Sequence, residues 1–189
     1  RSSAASDVYK RQVLYGWRLM SEIEFRTPNS KNEFLEYDLF RWRLLREPIG
    51  KTIESLKDDF EDFGFHLIGI KDNQIIACGR LHFNSKTEAQ IRYMAVEKNF
   101  QRNGIGRKIL KILEKEAKNK NAKKIVLNAR DHAINFYKST KYKAVGKYTG
   151  SDTGIPHTQQ WKKKFNYLLS WKKLFSKSEL SFCINPYSY

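Results

Sequence analysis

Apolar residues in "NEFLEYDLFRWRLLR" (32–46) recur at three- and four-residue intervals, so that Phe34, Leu35, Leu39, Trp42 and Leu45 share one helical face. "EPIG" (47–50) supplies the proline and glycine that end that helix, and a shorter helix is predicted over "TIESLKDDFEDF" (52–63). The pattern then changes. "FHLIGI" (65–70) and "QIIACGRLHF" (74–83) are rich in β-branched and aromatic residues and are joined by "KDN", which predicts a hairpin, and "QIRYMAV" (90–96) adds a third strand. An amphipathic helix follows over 104–120. "KKIVLNA" (123–129) is short and apolar enough for a buried parallel strand, which makes the helix before it the crossover of a βαβ unit. "DHAINFYKSTK" (131–141) predicts a helix with Asp131 at or near its N-cap and with Ala133, Phe136 and Tyr137 turned inward. Two last strands, near 142–149 and 156–165, complete an α/β domain without internal repeats.

The chain has 189 residues, 40% of them hydrophobic, 14% aromatic and 30% charged, a mixture that folds and a length that suits one core. The opening "RSSAASDVYKRQ" has no apolar period and resembles translated sequencing-adapter read-through, so residues 1–19 are expected to lie outside the fold, with Met20 a natural start. Residues 20–165 form the expected domain. Residues 166–189 read as a short helix and a loose tail with no assigned role. No apolar run reaches the ~18 residues that a membrane span needs, and the expected location is cytoplasmic. Cys78 and Cys183 lack the spacing of a zinc site or a disulfide framework, so no metal is expected.

Charge narrows the choice of partner. The formal net charge is +16, but its distribution is uneven: residues 22–62 hold 11 acids and 7 bases, whereas residues 63–165 hold 22 bases and 7 acids. A basic region of that size calls for an anionic partner or serves as a lysine-rich solvated surface. At its centre stands "QRNGIG" (101–106), with two glycines at a predicted strand-to-helix junction. A missing Cβ there lets backbone amides approach a ligand, and the first N–H groups of a helix have no internal partners, so the junction suits a phosphate flanked by Arg102 and Arg107. The spacing is not that of a Walker A loop, and the third glycine of the dinucleotide fingerprint is missing. A tight turn without a ligand is the other reading of the glycines.

"RYMAV-x4-QRNGIG", the amphipathic helix, "IVLNAR" and "AINFYKSTKY" follow one another in an order and at a spacing that resembles the GNAT superfamily of acyl-CoA-dependent N-acetyltransferases. The carrying residues are Gln101, Gly104 and Gly106, then Ala133, Phe136 and Tyr137; "RWRLLREPIG" (41–50) and "GIPH" (154–157) look like a subgroup of small bacterial members. The resemblance implies a mixed, twisted sheet whose two central parallel strands splay apart, flanked by helices in three layers. It implies acetyl-CoA as co-substrate, with its pyrophosphate on the amides of Arg102, Asn103, Gly104, Ile105, Gly106 and Arg107. The pantetheine arm would lie along Met94, Ala95 and Val96 at a strand bulge. Gln101 belongs to the same motif, and Asn135 is a further cofactor contact.

In that family a neutral amine attacks the thioester directly, and Tyr137 stands where a tyrosine protonates the departing thiolate. For the base, His157 of "GIPH" leads, with His82, Glu47 and Glu88 as further candidates. By analogy, the acidic stretch 22–62 is expected to help line a cationic acceptor site. The acceptor is a small-molecule or peptide amine, and a homodimer is left open. Two rivals remain: a basic nucleic-acid-binding protein, ranked behind, and a CoA-binding module without catalysis.

Overall fold

In the computed structural model the described residues are 22–146 and 159–165. Seven strands, β1 (Glu24–Arg26), β2 (Phe65–Lys71), β3 (Gln74–Ser85), β4 (Glu88–Val96), β5 (Lys124–Ala129), β6 (Lys143–Gly146) and β7 (Gln159–Lys164), form one sheet in the order β1-β2-β3-β4-β5-β7-β6. Every neighbouring pair is antiparallel except β4 and β5, the two ends of the predicted βαβ unit. Asp72 and Asn73, both at positive φ, turn the β2–β3 hairpin in two residues.

Three helices flank the sheet: α1 (Lys31–Leu45), α2 (Ile105–Asn119) and the short α3 (Ile134–Ser139). Strand alternation divides the core between the two faces. Leu67, Ala77 and Ile91 pack with Ile109, Leu110 and Leu113 of α2, whereas Ile68 and Cys78 pack with Tyr37 and Phe40 of α1. Gly79 marks how closely α2 sits, because a Cβ there would lie 2.9 Å from Leu113 Cδ1. Ser30 caps α1, its hydroxyl accepting the Glu33 N–H at 3.2 Å.

Three local expectations are corrected. The face of α1 that is buried carries Tyr37, Asp38, Phe40 and Arg41, while Leu35 and Leu39 are 62% and 53% exposed and Phe34 also faces outward. The apolar period pointed the wrong way because an ion-pair network occupies part of the buried side. The helix predicted over 52–63 is a single 3-10 turn at Ile53–Leu56. Asp58 instead accepts the Phe60 N–H at 3.1 Å and binds two arginines, a local turn that competes with helix. The helix predicted over 131–141 is a 3-10 turn at Asp131–Ala133 followed by α3, with Ala133 rather than Asp131 at the N-cap position.

Candidate active site

The parallel pairing of β4 with β5 runs only from Glu88↔Lys124 to Ile91↔Leu127. β4 continues for five more residues, and β5, held along its other edge by β7 from Lys124 to Ala129, no longer pairs with it, so the two strands part and among the described residues the far half of β4 keeps an unpaired edge. A bulge lies in that half. Cys78 faces Ala95 and Arg80 faces Arg92, so Tyr93 and Met94 of β4 together oppose the single Gly79 of β3, and Tyr93 takes a left-handed φ of 54°. The buried Cys78 thiol donates to the Tyr93 carbonyl at 3.2 Å, and burial pushes that thiol up to about 12, so it braces the bulge as an inert thiol. Glu97 N–H pairs with Ile76 O across β3 at 2.8 Å, and by alternation the polar backbone groups of Val96 face the gap.

The loop after β4 folds back on the strand end. Gln101 Nε2 donates to Val96 O at 2.9 Å, and Arg102 and Gly104 adopt positive φ of 64° and 83°. Gly104 offers α2 no side-chain cap, and the first helical hydrogen bond runs from Lys108 N–H to Gly104 O at 3.0 Å. The amides of Ile105, Gly106 and Arg107 therefore precede the helical ladder. A Cβ on Gly104 would meet nothing within 4 Å, and one on Gly106 would stand 3.6 Å from Phe136 and 3.7 Å from Val96, in the mouth of the gap. The Ile105 side chain is buried in the core, which leaves only its amide for a ligand. Asn103 donates to the loop's own carbonyls, and Arg107 reaches Ser139 Oγ at 3.3 Å.

A cavity of about 480 Å³ opens along β4, and Met94, Ala95, Val96, Gln101 and Tyr137 line it. The Tyr137 hydroxyl approaches Met94 Sδ at 3.9 Å, and burial of the ring, 7% exposed, raises its phenol above the usual range. Asn135 is exposed on α3 and does not line the cavity. Of the base candidates, His157 lies outside the described residues. His82 lines the cavity, stacked on Phe60 at 4.4 Å, and burial followed by repulsion from Arg80 and Arg92 pulls it down to about 4. Glu47 is exposed away from the cavity, and Glu88 pairs with Lys124 at the start of β4.

The other end of the cavity is built of arginines that the motifs did not announce. Four guanidinium carbons, from Arg41, Arg46, Arg80 and Arg92, lie 4.9–5.2 Å from the Tyr93 ring centroid. Glu61 bridges the fully buried Arg41 and Arg80, Asp38 takes Arg41 and Lys57, and Asp58 takes Arg80 and Arg92. Asp38, Asp58 and Glu61 of the 22–62 stretch are thus committed to these cations, while Glu36, Glu47, Glu54, Asp59 and Asp62 stand exposed. Among the described residues no carboxylate lines the cavity, which corrects the expectation of a cationic acceptor site there. The one signal in the sequence was the pairing of Arg80 with Arg92 across two predicted strands, downstream of the acidic run 58–62.

A mixed sheet with one splayed parallel pair, a bulge at the splay and a glycine turn opening the next helix defines the GNAT class of acetyltransferases. The chain matches the Acetyltransferase (GNAT) family over residues 17–142 and belongs to it. It is 30% identical, over 115 residues, to the uncharacterized N-acetyltransferase YjcF of Bacillus subtilis, a match spanning 61% of this chain and 79% of that one. Its fold is similar to the crystal structure of Escherichia coli ElaA, with a TM-score of 0.63 at 16% identity over 75% of this chain and 99% of that one. It is similar also to a GNAT family acetyltransferase from Elizabethkingia anophelis with acetyl-CoA bound, with a TM-score of 0.59 at 23% identity over 76% and 99%. Among the described residues no helix is long and apolar enough to cross a membrane.

Proposed function

We propose that the protein transfers an acetyl group from acetyl-CoA to a primary amine by direct attack within a ternary complex. The observation that carries this reading is the unpaired half of β4 running into uncapped amides at the start of α2. Acetyl-CoA supplies an activated thioester and a pyrophosphate. The pyrophosphate suits the amides of residues 102–107, and the amide-bearing arm suits the free edge of Met94 to Val96. Gln101 holds the loop against that edge. Asn135, exposed on α3, is kept as an outer contact.

The Val96 N–H, facing the gap, is a donor for the carbonyl oxygen as it gains charge, a contribution typically of ~3–4 kcal/mol. Tyr137 gives its proton to the departing sulfur. In water the transfer from a phenol of pKa ~10 to a thiolate of ~8.5 is uphill by ~2 kcal/mol, and burial that raises the phenol raises the thiol beside it as well. The amine must arrive neutral. A lysine-like amine is neutral at pH 7 about 0.04% of the time, a penalty of ~4.6 kcal/mol, which favours a base at the cavity. We assign that role to His157, two residues before β7. His82, held neutral, is too weakly basic to replace it at little cost.

Isothermal titration of acetyl-CoA into the full chain tests the cofactor half of this reading. Micromolar binding is expected, and Gly104→Trp abolishes it; absence of binding to folded wild-type protein sinks the reading. Tyr137→Phe leaves that affinity nearly unchanged and lowers turnover at least about tenfold; unchanged turnover removes Tyr137 as the acid.

A further inference from the structure

The charged side chains that line the cavity are Arg46, Arg92 and Arg130, and among the described residues nothing acidic joins them. Arg92 is paired with Asp58 at 2.9 Å. Arg46, only 3% exposed, meets neutral oxygens alone, Tyr93 Oη at 3.3 Å and Ser55 O at 3.4 Å. Arg130, half-buried, donates to Leu45 O at 2.9 Å. A guanidinium carries five N–H donors, and among the described residues these are the only hydrogen bonds that either arginine side chain makes. Burial is the main force lowering each of them, and Arg130 is lowered further by the charge on Arg46. A buried cation beside a half-buried one, with no counter-ion among the described residues, is costly in a folded protein unless an anion completes the pair. On the same cavity wall the Asn128 side-chain oxygen is buried and accepts no hydrogen bond from the described residues, an acceptor left open for an N–H.

Resting on the transfer reaction proposed above, we propose that the amine acceptor is itself anionic. It is a small amine bearing a carboxylate or phosphate group, the oxyanion seated on Arg46 and Arg130 and the nitrogen directed by Asn128 Oδ1. Guanidinium geometry suits a two-oxygen anion held through parallel N–H donors. A polyamine or a multiply amino-substituted sugar meets like charge at Arg46 and Arg130. The arginines stand on the α1 side of the bulge, where Arg46 touches Tyr93, while the loop of 101–107 follows the strand's end beyond Val96. They select the acceptor and leave the acetyl donor to the backbone.

Matched amines test this with the full chain, following the thiol released from acetyl-CoA: β-alanine against its amide, phosphoethanolamine against ethanolamine, and spermidine as a polycation. The anionic member of a pair is expected to exceed its neutral partner by about tenfold or more in kcat/KM. Arg46→Met raises the KM of the anionic amine by about thirtyfold and leaves that of acetyl-CoA within about twofold. Equal or better use of neutral amines or spermidine overturns the proposal, as does a loss that falls on acetyl-CoA. Arg130→Gln, at a less buried position, repeats the test should Arg46→Met fail to fold.

Binding decides the case where no amine of the set reacts. Propionate and methylphosphonate, which separate carboxylate from phosphate, raise the Tm of acetyl-CoA-saturated wild-type protein, and Arg46→Met and Arg130→Gln lose that rise. Equal shifts in wild type and variants overturn the site. Failure of acetyl-CoA to bind strikes the transfer reaction instead, and the propionate titration without acetyl-CoA still reads the arginine site.

Discussion

The two ends of the β4 cleft are made of different material. At the α2 end the polar groups are backbone amides, set by positive φ at Arg102 and Gly104, with no side-chain cap. At the α1 end they are side chains, five of them arginines drawn from α1, the residue after it, β3, β4 and the residue after β5. One end is a local conformation of six consecutive residues. The other is a long-range assembly that exists only once the sheet has formed, held by Asp38, Asp58 and Glu61. A donor common to a whole family can be held by the first kind of site, and an acceptor that differs between members needs the second.

Removing the keystone of the side-chain end should have the largest effect. Glu61→Ala strips Arg41 and Arg80 of their shared carboxylate, and loss of one partner from a buried network costs about 3–5 kcal/mol. Urea unfolding checks this; a loss below about 1 kcal/mol would mean that water replaces the carboxylate. The next effect comes from pH. His82 is pulled down to about 4 in the folded protein, whereas the unfolded chain titrates near 6.5. Protons then bind the unfolded state first, so the stability tied to His82 is complete above about pH 6.5 and is lost as pH falls through about 4, on the order of 3 kcal/mol. His82→Gln should flatten that part of the stability–pH curve.

The backbone end should respond more weakly in stability and more strongly in binding. Gly104→Ala keeps a left-handed φ that an L-residue adopts at about 1–2 kcal/mol, with no clash to add. Gly106→Ala sharpens the contrast most. Its Cβ makes only ordinary contacts with Phe136 and Val96, so Tm should hardly move, within about 0.5 kcal/mol, while acetyl-CoA affinity falls. If stability and affinity fall together at Gly106, the turn serves the fold rather than a ligand.

The same division explains what the sequence disclosed. The βαβ unit, the hairpin at Asp72–Asn73 and the glycine turn were legible because each depends on neighbours within a few residues. The buried face of α1 was not, since Arg41 is buried there by Glu61 and Asp38 rather than by apolarity. Arg46, Arg92, Arg130 and Asn128 were missed for a related reason. They are ordinary surface-type residues until three separate segments bring them to one wall. The acidic stretch misled in the same way, because the charges of Asp38, Asp58 and Glu61 were counted as available when buried arginines take them.

The open half of β4 has a consequence beyond catalysis. Among the described residues the sheet has an edge in its interior from Arg92 to Val96, and an unpaired edge is a template for any extended peptide, another copy's strand included. Whatever occupies the gap therefore also protects the chain. Ligand bound only by the native state adds stability in proportion to the logarithm of its concentration. With acetyl-CoA filling the gap as proposed, a cell starved of acetyl donor would hold the protein with that edge uncovered, so substrate supply would bear on self-association as well as on turnover.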